Sequence, residues 1–482
     1  MDGGETFTPT NKTTVGQFTT IAVDNKTPYN VMGGLQDNGT LKGPSTHRPG
    51  ISDPDQWKAI GGGDGSMIAV DPRNDGETVY IASQFGAFVR LDGGTTGRTG
   101  FIQPRPKKDE KLRWNWLAPI IVSSFHPDVV YVGSQKVHRS WNQGRTWEVL
   151  SGDLTKDKPN GNVPFSTLTQ LAESPFHFER LYAGADDGSV KTTADGGVTW
   201  TDISTPAKDK WVTRLTASSH VDGRLYCSQN GYRDDDWTPY VWKSEDFGKT
   251  WTSIASGLPS MPVNTLREDP GNPNVLYVGN DDGVYVSIDR GGSWMMLGGG
   301  LPNTPVHDLA VQARDREIVI ASHARSVYKI SLKWLDEIVK GTFKDKKLDI
   351  HEAQSLSGQK DWPYANYPTY AEGKPNDHDL AVTVWSTVMG EGTLELLDKD
   401  GKAVVSKKVT VDNGINFMTL KTLLKPGDRW APFEAPDKPK DPKEALKDPY
   451  AGRRPTYIPV GDYKVVLTVK GEKAEKQVKV SA

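Results

Sequence analysis

Two aspartates lie in glycine-flanked loops that are more elaborate than a tight turn requires. Asp37 belongs to the run Gly33-Gly-Leu-Gln-Asp-Asn-Gly39, and Asp64 belongs to Gly61-Gly-Gly-Asp-Gly65. Two carboxyl groups that face each other across roughly 5–5.5 Å or 6.5–9.5 Å can hydrolyse a glycosidic bond. Aspartate beside glycine also builds turns without any further role. Asp37 and Asp64 are therefore the candidate catalytic pair, with turn formation as the alternative interpretation.

Further polar side chains recur in short loops of the same kind. Amides, carboxylates, an imidazole and a guanidinium on one surface would bind sugar hydroxyls or the polar groups of a peptide. The residues assigned to this ligand-binding set are Gln36, Asn38, Gln84, Gln135, Asp186, Gln229, Asp281, His323 and Arg325. Asp186 and Asp281 each precede an Asp-Gly pair, and for them a turn-building role is the favoured interpretation.

The sequence carries no pattern for a metal or cofactor site. Its nine histidines are scattered, without a His-x-x-x-His pair or a Cys/His zinc spacing. The single cysteine, Cys227, has no partner for an intramolecular disulfide. We therefore expect neither a metal nor a cofactor.

A motif that repeats along the chain, Ser/Thr-x-Asp-x-Gly-x-Thr/Ser-Trp, must position these loops. The near-complete copies are Ser140–Trp147, Thr193–Trp200, Ser244–Trp251 and Ser287–Trp294, and a worn copy is Leu91–Thr96. The third positions of the five copies, from Asp92 to Asp289, lie 50, 53, 51 and 43 residues apart. This spacing is typical of one four-stranded propeller blade per repeat.

Each copy is an Asp-box, or BNR repeat. Its carboxyl and hydroxyl groups can hydrogen-bond to the backbone of a hairpin turn, and its glycine supplies a positive φ. The closing tryptophan places a large apolar ring between blades. Because the same constellation recurs from blade to blade, we interpret the boxes as scaffold and not as active sites.

The repeats predict a seven-bladed β-propeller over residues 1–335. The last unit, residues 303–331, has three strands and no box, whereas Asp2–Phe7 resembles the end of a box. We expect this N-terminal strand to complete the last blade, because an open ring would leave bare sheet edges.

The remainder of the chain predicts a second domain. Residues 332–341 have the pattern of a short amphipathic helix. Residues 336–378 are predicted to be a linker, and residues 379–482 an Ig- or fibronectin-like β-sandwich with a Pro-rich insertion. The predicted fold class is therefore all-β.

Composition limits the partners and the location. The net charge is −3 at pH 7 and no basic stripe is present, so no nucleic-acid partner is expected. The sequence contains no run of 18 apolar residues, so no membrane insertion is expected. The N-terminus lacks the features of a signal peptide, but the chain begins inside a box. We therefore also interpret it as part of a longer precursor that is secreted, periplasmic or on the cell surface.

The four boxes, with Gln36-Asp-Asn-Gly39 and Gly62-Gly-Asp-Gly65, resemble a bacterial family of sortilin-type or BNR-repeat, glycosyl-hydrolase-like proteins. The resemblance covers about residues 1–335, and it implies a propeller, often with a second propeller upstream. Two-propeller xyloglucan hydrolases share one loop with this chain, since their catalytic base occupies a setting comparable to that of Asp37. Their acid comes from the other propeller, so an upstream propeller or a partner chain would supply it here.

Sialidases also contain Asp-boxes, together with an arginine triad. No motif places the arginines of this chain as such a triad; those considered are Arg90, Arg139, Arg214 and Arg325.

Three functional hypotheses follow. The first is an exported or cell-surface binding or scaffold protein that recognises a glycan, a peptide or a partner protein through its channel face. The alternative is a glycoside hydrolase, or part of one, that uses Asp37 and Asp64. The third is a stability or assembly factor that uses the propeller as a protein-binding platform. The separation and the hydrogen bonds of the Asp37 and Asp64 carboxyl groups distinguish the hydrolase from the other two.

Overall fold

The computed structural model of the chain describes residues 16–46, 56–93, 97–158, 164–297, 301–324, 326–357, 379–425 and 456–482. These residues form an all-β structure, as the sequence predicts. They fall into two compact units, one within Met1–Leu297 and Leu301–Lys333 and the other within Trp334–Ala482. No α-helix in the described ranges is long and apolar enough to cross a bilayer.

The described part of the first unit consists of six four-stranded antiparallel sheets and one three-stranded sheet. The first three sheets are β1 (Phe18–Val23), β2 (Asn30–Leu35), β3 (Gly39–Pro44) and β4 (Lys58–Gly61); β5 (Gly65–Val70), β6 (Val79–Ser83), β7 (Ala87–Asp92) and β8 (Gly97–Phe101); and β9 (Ile120–Val122), β10 (Val130–Gly133), β11 (Val137–Ser140) and β12 (Glu148–Val149). The next two are β13 (Leu168–Glu173), β14 (Leu181–Ala185), β15 (Val190–Thr193) and β16 (Thr201–Asp202); and β17 (Trp211–Ala217), β18 (Leu225–Gly231), β19 (Asp236–Ser244) and β20 (Thr252–Ser253). The last two are β21 (Val263–Asp269), β22 (Asn272–Asn280), β23 (Gly283–Ser287) and β24 (Met295–Met296); and β25 (Val306–Gln312), β26 (Glu317–Ser322) and β27 (Val327–Ser331). Short 3₁₀ turns occur at Arg73–Gly76, Gln84–Gly86 and Tyr232–Asp234.

The first strands of the sheets are neighbours. Each of β1, β5, β9, β13, β17 and β21 contacts the first strand of the next sheet, and β25 contacts β1. We call these seven strands the inner ring. The first and last sheets also share an apolar cluster, in which Phe18 and Val31 pack with Val319 and Ala321. The predicted closing strand at residues 2–7 lies outside the described residues.

The Asp-boxes form the hydrogen bonds that the sequence suggests. In the third complete box, Asp246 Oδ1 accepts from the Ser244 hydroxyl at 2.8 Å and from the Thr250 N–H at 2.9 Å. The Trp251 Nε1–H donates at 2.7 Å to the Ile203 carbonyl of the preceding sheet. The closing tryptophans of the other three complete boxes make the same inter-sheet bond. The box therefore closes its own turn and joins neighbouring sheets.

A β-bulge near the start of the first strand provides a second inter-sheet bond. The bulge turns the side chain of the extra residue out of the normal alternation. In three sheets this residue is a threonine whose hydroxyl donates to a first-strand carbonyl of the neighbouring sheet. Thr19 bonds to Gly65 O at 2.9 Å, Thr169 to Val212 O at 2.7 Å and Thr213 to Val263 O at 3.0 Å. At the same position β21 has Asn264 and β25 has His307.

The second unit begins within helix α1 (Lys333–Val339), where the sequence predicts a helix. Its strands are β28 (Leu348–Ala353), β29 (Leu380–Ser386), β30 (Gly390–Leu397), β31 (Ala403–Val411), β32 (Gly414–Leu420), β33 (Leu423–Lys425), β34 (Thr456–Tyr457), β35 (Gly461–Val469) and β36 (Glu472–Val480). They form the sheets β28-β29-β32 and β31-β30-β35-β36 and the pair β33-β34. Side chains of both larger sheets, such as Val384 and Leu467, share one apolar core.

Strand β28 corrects the predicted linker 336–378. Residues 348–353 pair with β29, and Ile350 is buried in the core of this unit. The rest of the predicted linker from residue 358, and residues 426–455 of the predicted insertion, lie outside the described residues.

Candidate functional site

Strand order divides the loops of the first unit between two faces. In an antiparallel sheet built in sequence order, the turn between the second and third strands lies at the same end as the link to the next sheet. We call this end the loop face, and the opposite end, which carries the Asp-box turns, the box face. The described residues of the predicted catalytic and ligand-binding sets all lie at the loop face, in these turns or links or at the strand ends beside them.

Gln17 joins the first sheet to the last sheet at the loop face. Its side-chain Nε2 donates to Gln36 Oε1 at 2.8 Å and lies 2.9 Å from His323 Nε2. Because an amide N–H is the donor, His323 Nε2 accepts and the ring proton lies on Nδ1. Among the described residues that buried Nδ1 has no hydrogen-bond partner.

Two stacked imidazoles lie at this junction. The rings of His307 and His323 are 4.1 Å apart and inclined by 29°. Burial and, to a smaller extent, the neighbouring His323 lower the pKa of His307 to about 3, against the opposing effect of Asp308. Burial also lowers the pKa of His323, against the opposing effect of Asp281. Both rings are therefore neutral near pH 7, and they present hydrogen-bonding groups without positive charge.

The loops of Asp37 and Asp64 interlock. The Asp37 N–H donates to Asp64 Oδ1 at 2.8 Å, and the Asp64 N–H donates to Gln84 Oε1 at 2.8 Å. A side chain at Gly39, whose φ is +70°, would overlap the Gly61 carbonyl. The glycines are therefore required because the backbones of the two loops touch.

The two carboxylates have different environments. Asp64 is half-buried and its carboxylate holds the neighbouring loop. Asp37 is exposed with φ +61°, and its carboxylate has no hydrogen-bond partner within the described ranges. The structure thus brings the predicted pair together, but one carboxylate supports the backbone of the other residue.

The polar groups continue to the sixth sheet. Asn264 Nδ2 donates to Asp281 Oδ1 at 2.8 Å, and Asn264 Oδ1 lies 3.3 Å from Asn230 Nδ2. Asp281 acts electrostatically on His323. The result is a polar crescent around part of the loop face, which consists of Gln84, Asp64, Asp37, Gln36, Gln17, His323, Asp281 and Asn264.

Exposed aromatic side chains lie on the same face. Phe85 is in the turn after β6, and Trp116 is in the link before β9. Tyr232 and Trp237 lie at the turn between β18 and β19, where the Arg233 guanidinium is 4.6 Å from the Tyr232 ring. Exposed aromatic and arginine side chains are the types that contribute most to protein interfaces.

Three predicted ligand-binding residues are buried and hydrogen-bond to neighbouring links of the loop face. Gln135 accepts from the Arg113 N–H at 2.7 Å and donates to the Lys111 carbonyl. Gln229 accepts from Thr205 and donates to two backbone carbonyls. Asp186 accepts three hydrogen bonds from Thr167 and Asn115. These hydrogen bonds give each of the three side chains a role in holding the loops in position.

Asn38 lies at the exposed tip of the first loop, where its side chain donates to the Gln36 carbonyl. Arg325 lies outside the described residues. Among the residues that are described, no group of three or more His, Cys, Asp or Glu could hold a metal ion.

Sequence reasoning missed Gln17, Asn264 and His307. A signal for two of them was present, because Asn264 and His307 occupy the bulge position that is threonine in three other sheets. Because the bulge threonine joins neighbouring sheets, its replacement by Asn264 and His307 indicates that these two residues have a different local role.

One repeat of the chain matches a known family model. The BNR-Asp box repeat matches at residues 241–254. No curated protein matches. Among solved structures, the GH74 xyloglucanase from Xanthomonas campestris is 15% identical, with 65% of this chain and 52% of that chain covered and a TM-score of 0.48. This chain thus spans about half of that enzyme.

Two further solved structures are similar. The Niastella koreensis GH74 enzyme is 12% identical, with 97% of this chain and 74% of that chain covered and a TM-score of 0.49. YCF48 bound to D1 peptide is 13% identical, with 66% and 93% covered and a TM-score of 0.45. These likenesses carry no conclusion about activity. The chain therefore carries one matched BNR-Asp box repeat and four hydrogen-bonded boxes in an all-β fold.

Proposed function

We propose that the chain is a binding protein, a closed seven-bladed β-propeller whose loop face holds a partner. The continuous contacts of the inner ring support closure. The single core shared by the two larger sheets of the second unit supports an Ig- or fibronectin-like sandwich. The observation that carries the functional proposal is the hydrogen bond from the Asp37 N–H to the Asp64 carboxylate.

This bond assigns Asp64 a positioning role. Hydrolysis of a glycosidic bond needs two carboxyl groups available to the substrate, and here one of the pair holds a loop. The rest of the crescent consists largely of neutral amides and the neutral imidazole of His323, which bind and orient polar groups without protonating them. Together with Phe85, Trp116, Tyr232 and Trp237, this surface suits a peptide segment of a partner protein.

One observation supports the second candidate, a part of a glycoside hydrolase. The Asp37 carboxylate is exposed, and the Asp64 carboxylate holds the backbone N–H of Asp37. In this case an upstream propeller or a partner chain would supply the second carboxyl group. The likeness to GH74 enzymes is too distant to favour either candidate.

We also propose that the protein works outside the cytoplasm, as a secreted, periplasmic or surface protein, in line with the bacterial family that it resembles. Fractionation of source cells with an antibody against the chain tests this proposal. Recovery in the cytoplasmic fraction alone would contradict it.

The binding test uses the intact chain on a peptide array and a glycan array, with four variants. Gln36→Ala and Trp237→Ala alter the loop face, and Asp37→Asn removes the free carboxylate. Phe176→Ala is the matched control, because Phe176 is an exposed aromatic residue in a turn of the box face. We expect peptide binding that is at least about tenfold weaker in the two loop-face variants and unchanged in the control.

Either of two results would overturn the proposal. Equal loss of binding in Phe176→Ala would remove the loop face as the site. Hydrolysis of xyloglucan by the wild type that Asp37→Asn abolishes would establish the second candidate. Binding to a glycan, without turnover, would keep the loop-face site and change the partner class.

A further inference from the structure

Three charged side chains of the inner ring meet at one point. Arg214 of β17 donates from Nη2 to Asp308 Oδ1 of β25 at 2.5 Å, and Arg267 of β21 donates from Nη2 to the same oxygen at 2.9 Å. The cluster therefore combines two guanidinium groups with one carboxylate. Its residues are separate from the polar crescent.

Asp308 is fully engaged and ionised. Its Oδ1 also accepts from the Leu309 N–H at 2.8 Å and from the Thr265 hydroxyl at 3.2 Å, and its Oδ2 accepts from the Ile21 N–H at 3.2 Å. Burial would raise the pKa of Asp308, but the two arginines and these N–H donors outweigh it, and the pKa is lowered. The carboxylate therefore contributes one full negative charge.

The positive charge of the two arginines exceeds the single negative charge of Asp308. The charged groups of the described residues that act on Arg214 are Arg267, which repels it, and Asp308, which attracts it. The Arg214 side chain is 11% exposed, and its Nε is buried without a hydrogen-bond partner in the described structure. Two guanidinium groups share the one carboxylate of Asp308, so the cluster has one positive charge in excess and, at Arg214 Nε, one buried N–H donor left to satisfy.

The cluster is accessible from one side. The Arg267 side chain is 31% exposed, although Asp308 beside it is 3% exposed. Arg267 lies on the inner ring, and its Nε–H donates to the Leu309 carbonyl at 2.8 Å, which fixes the guanidinium plane. An anion can therefore reach a guanidinium that is already oriented.

We infer that Arg214 and Arg267 form a binding site for a carboxylate group of a ligand that enters the inner ring. A single carboxylate neutralises the one excess charge, whereas a phosphate dianion would reverse it. A carboxylate also matches the planar fork of a guanidinium. The inference rests on the inner ring alone and holds whichever partner the crescent binds.

The test measures binding of small probes to the intact chain by NMR at constant ionic strength. N-acetylglycine carries a peptide-type carboxylate and N-acetylglycinamide is its neutral counterpart. Galacturonate and its methyl ester form the same comparison for an acidic sugar. We expect each carboxylate to bind at least about tenfold more tightly than its neutral counterpart, and the tighter of the two identifies the source. Equal binding of charged and neutral probes would overturn the inference.

Two variants distinguish a specific carboxylate-binding site from an effect of the net charge of the protein. Arg267→Gln removes the accessible guanidinium, and Arg105→Gln removes one positive charge from an exposed position. We expect carboxylate binding about tenfold weaker in Arg267→Gln and within about twofold of wild type in Arg105→Gln. The same loss in both variants would show a net-charge effect and contradict the inference.

A further variant tests the charge imbalance in the opposite direction. Asp308→Asn leaves two guanidinium groups without their carboxylate, so a carboxylate probe should bind more tightly than to wild type while the probe-free protein melts at a lower temperature. Should Arg267→Gln fail to fold, Arg267→Lys keeps the charge without the planar fork and should bind with intermediate affinity. A purely structural cluster predicts probe binding that neither Asp308→Asn nor Arg267→Lys changes, and that result would overturn the inference.

Discussion

The Asp37 N–H and the Asp64 carboxylate are joined by a 2.8 Å hydrogen bond that links the first sheet to the second. Asp37 has φ +61°, a left-handed conformation that aspartate tolerates better than most residues other than glycine. Asp64, the closely packed glycines and Gln84 hold the loop in this conformation. The position of the exposed Asp37 carboxylate therefore depends on Asp64.

The first prediction concerns this dependence. Asp64→Ala removes the acceptor of the Asp37 N–H, so we expect faster amide hydrogen exchange over residues 36–39 and about 1 kcal/mol less local stability. Asp64→Asn keeps an oxygen acceptor and should retain slow exchange. Partner binding should follow exchange, with loss in Asp64→Ala and retention in Asp64→Asn. Loss of binding in Asp64→Asn with slow exchange intact would instead show that the Asp64 charge contacts the ligand.

The second prediction concerns the bulge threonines. Thr169→Val replaces a buried hydroxyl with a methyl group and leaves the Val212 carbonyl without its 2.7 Å donor. We expect about 1–2 kcal/mol less free energy of unfolding in urea. Thr169→Ser retains the hydroxyl and is the control. A loss in Thr169→Ser equal to that in Thr169→Val would show that the methyl group, not the hydrogen bond, stabilises the junction.

The third prediction concerns acid stability. The Thr199 hydroxyl, the Thr199 N–H and Thr193 hold the pKa of Asp195 at about 2, below its ordinary 3.8. A folded-state pKa that is depressed contributes stability above pH 3.8, and this contribution is lost as the pH falls toward 2. NMR titration of the Asp195 carboxyl group should show this midpoint, and Thr199→Val should move it upward. An unchanged midpoint in Thr199→Val would contradict the assignment.

The chain contains its own control for this experiment. Asn142 occupies the same box position and accepts from the Thr146 N–H at 2.9 Å while its amide donates to the Thr146 hydroxyl. Asp195→Asn should therefore fold with this geometry and lose the acid dependence that arises from Asp195.

The boxes and sheets were accessible from the sequence because their hydrogen bonds are local. Ser244, Asp246 and Thr250 lie within seven residues, so spacing alone predicts the turn. Strand β28 was not predictable in the same way, because its pairing partner β29 lies across residues that carry no strand pattern. Only Ile350 of this short segment is fully buried, which gives a weak alternation.

The candidate site was predictable in part. Asp37 and Asp64 stand out in the sequence because their glycine-flanked loops are more elaborate than a tight turn requires, and the structure shows that the backbones of these two loops touch. His307 and Asn264 were missed because a bulge redirects their side chains, and a simple alternation of strand residues does not show this. The meeting of Arg214, Arg267 and Asp308 depends on three different sheets, so no local spacing encodes it.

The last prediction concerns Asp186, whose pKa is shifted in the opposite direction to that of Asp195. Burial raises the pKa of Asp186 to about 6, against the opposing hydrogen bonds from Thr167 and Asn115. Between pH 3.8 and 6 the folded state therefore holds a proton that the unfolded state has released, and stability falls as the pH rises through this window. The shift corresponds to about 3 kcal/mol between pH 4 and pH 7.

Asp186→Asn is the variant that tests this. An asparagine keeps an acceptor for the Thr167 N–H and does not ionise, so the decline between pH 4 and pH 7 should be absent from its urea-unfolding free energies. Wild type and Asp186→Asn should differ most at pH 7, where the buried carboxylate is charged. A wild-type decline that persists unchanged in Asp186→Asn would assign the proton to another group and leave Asp186 ionised in the fold.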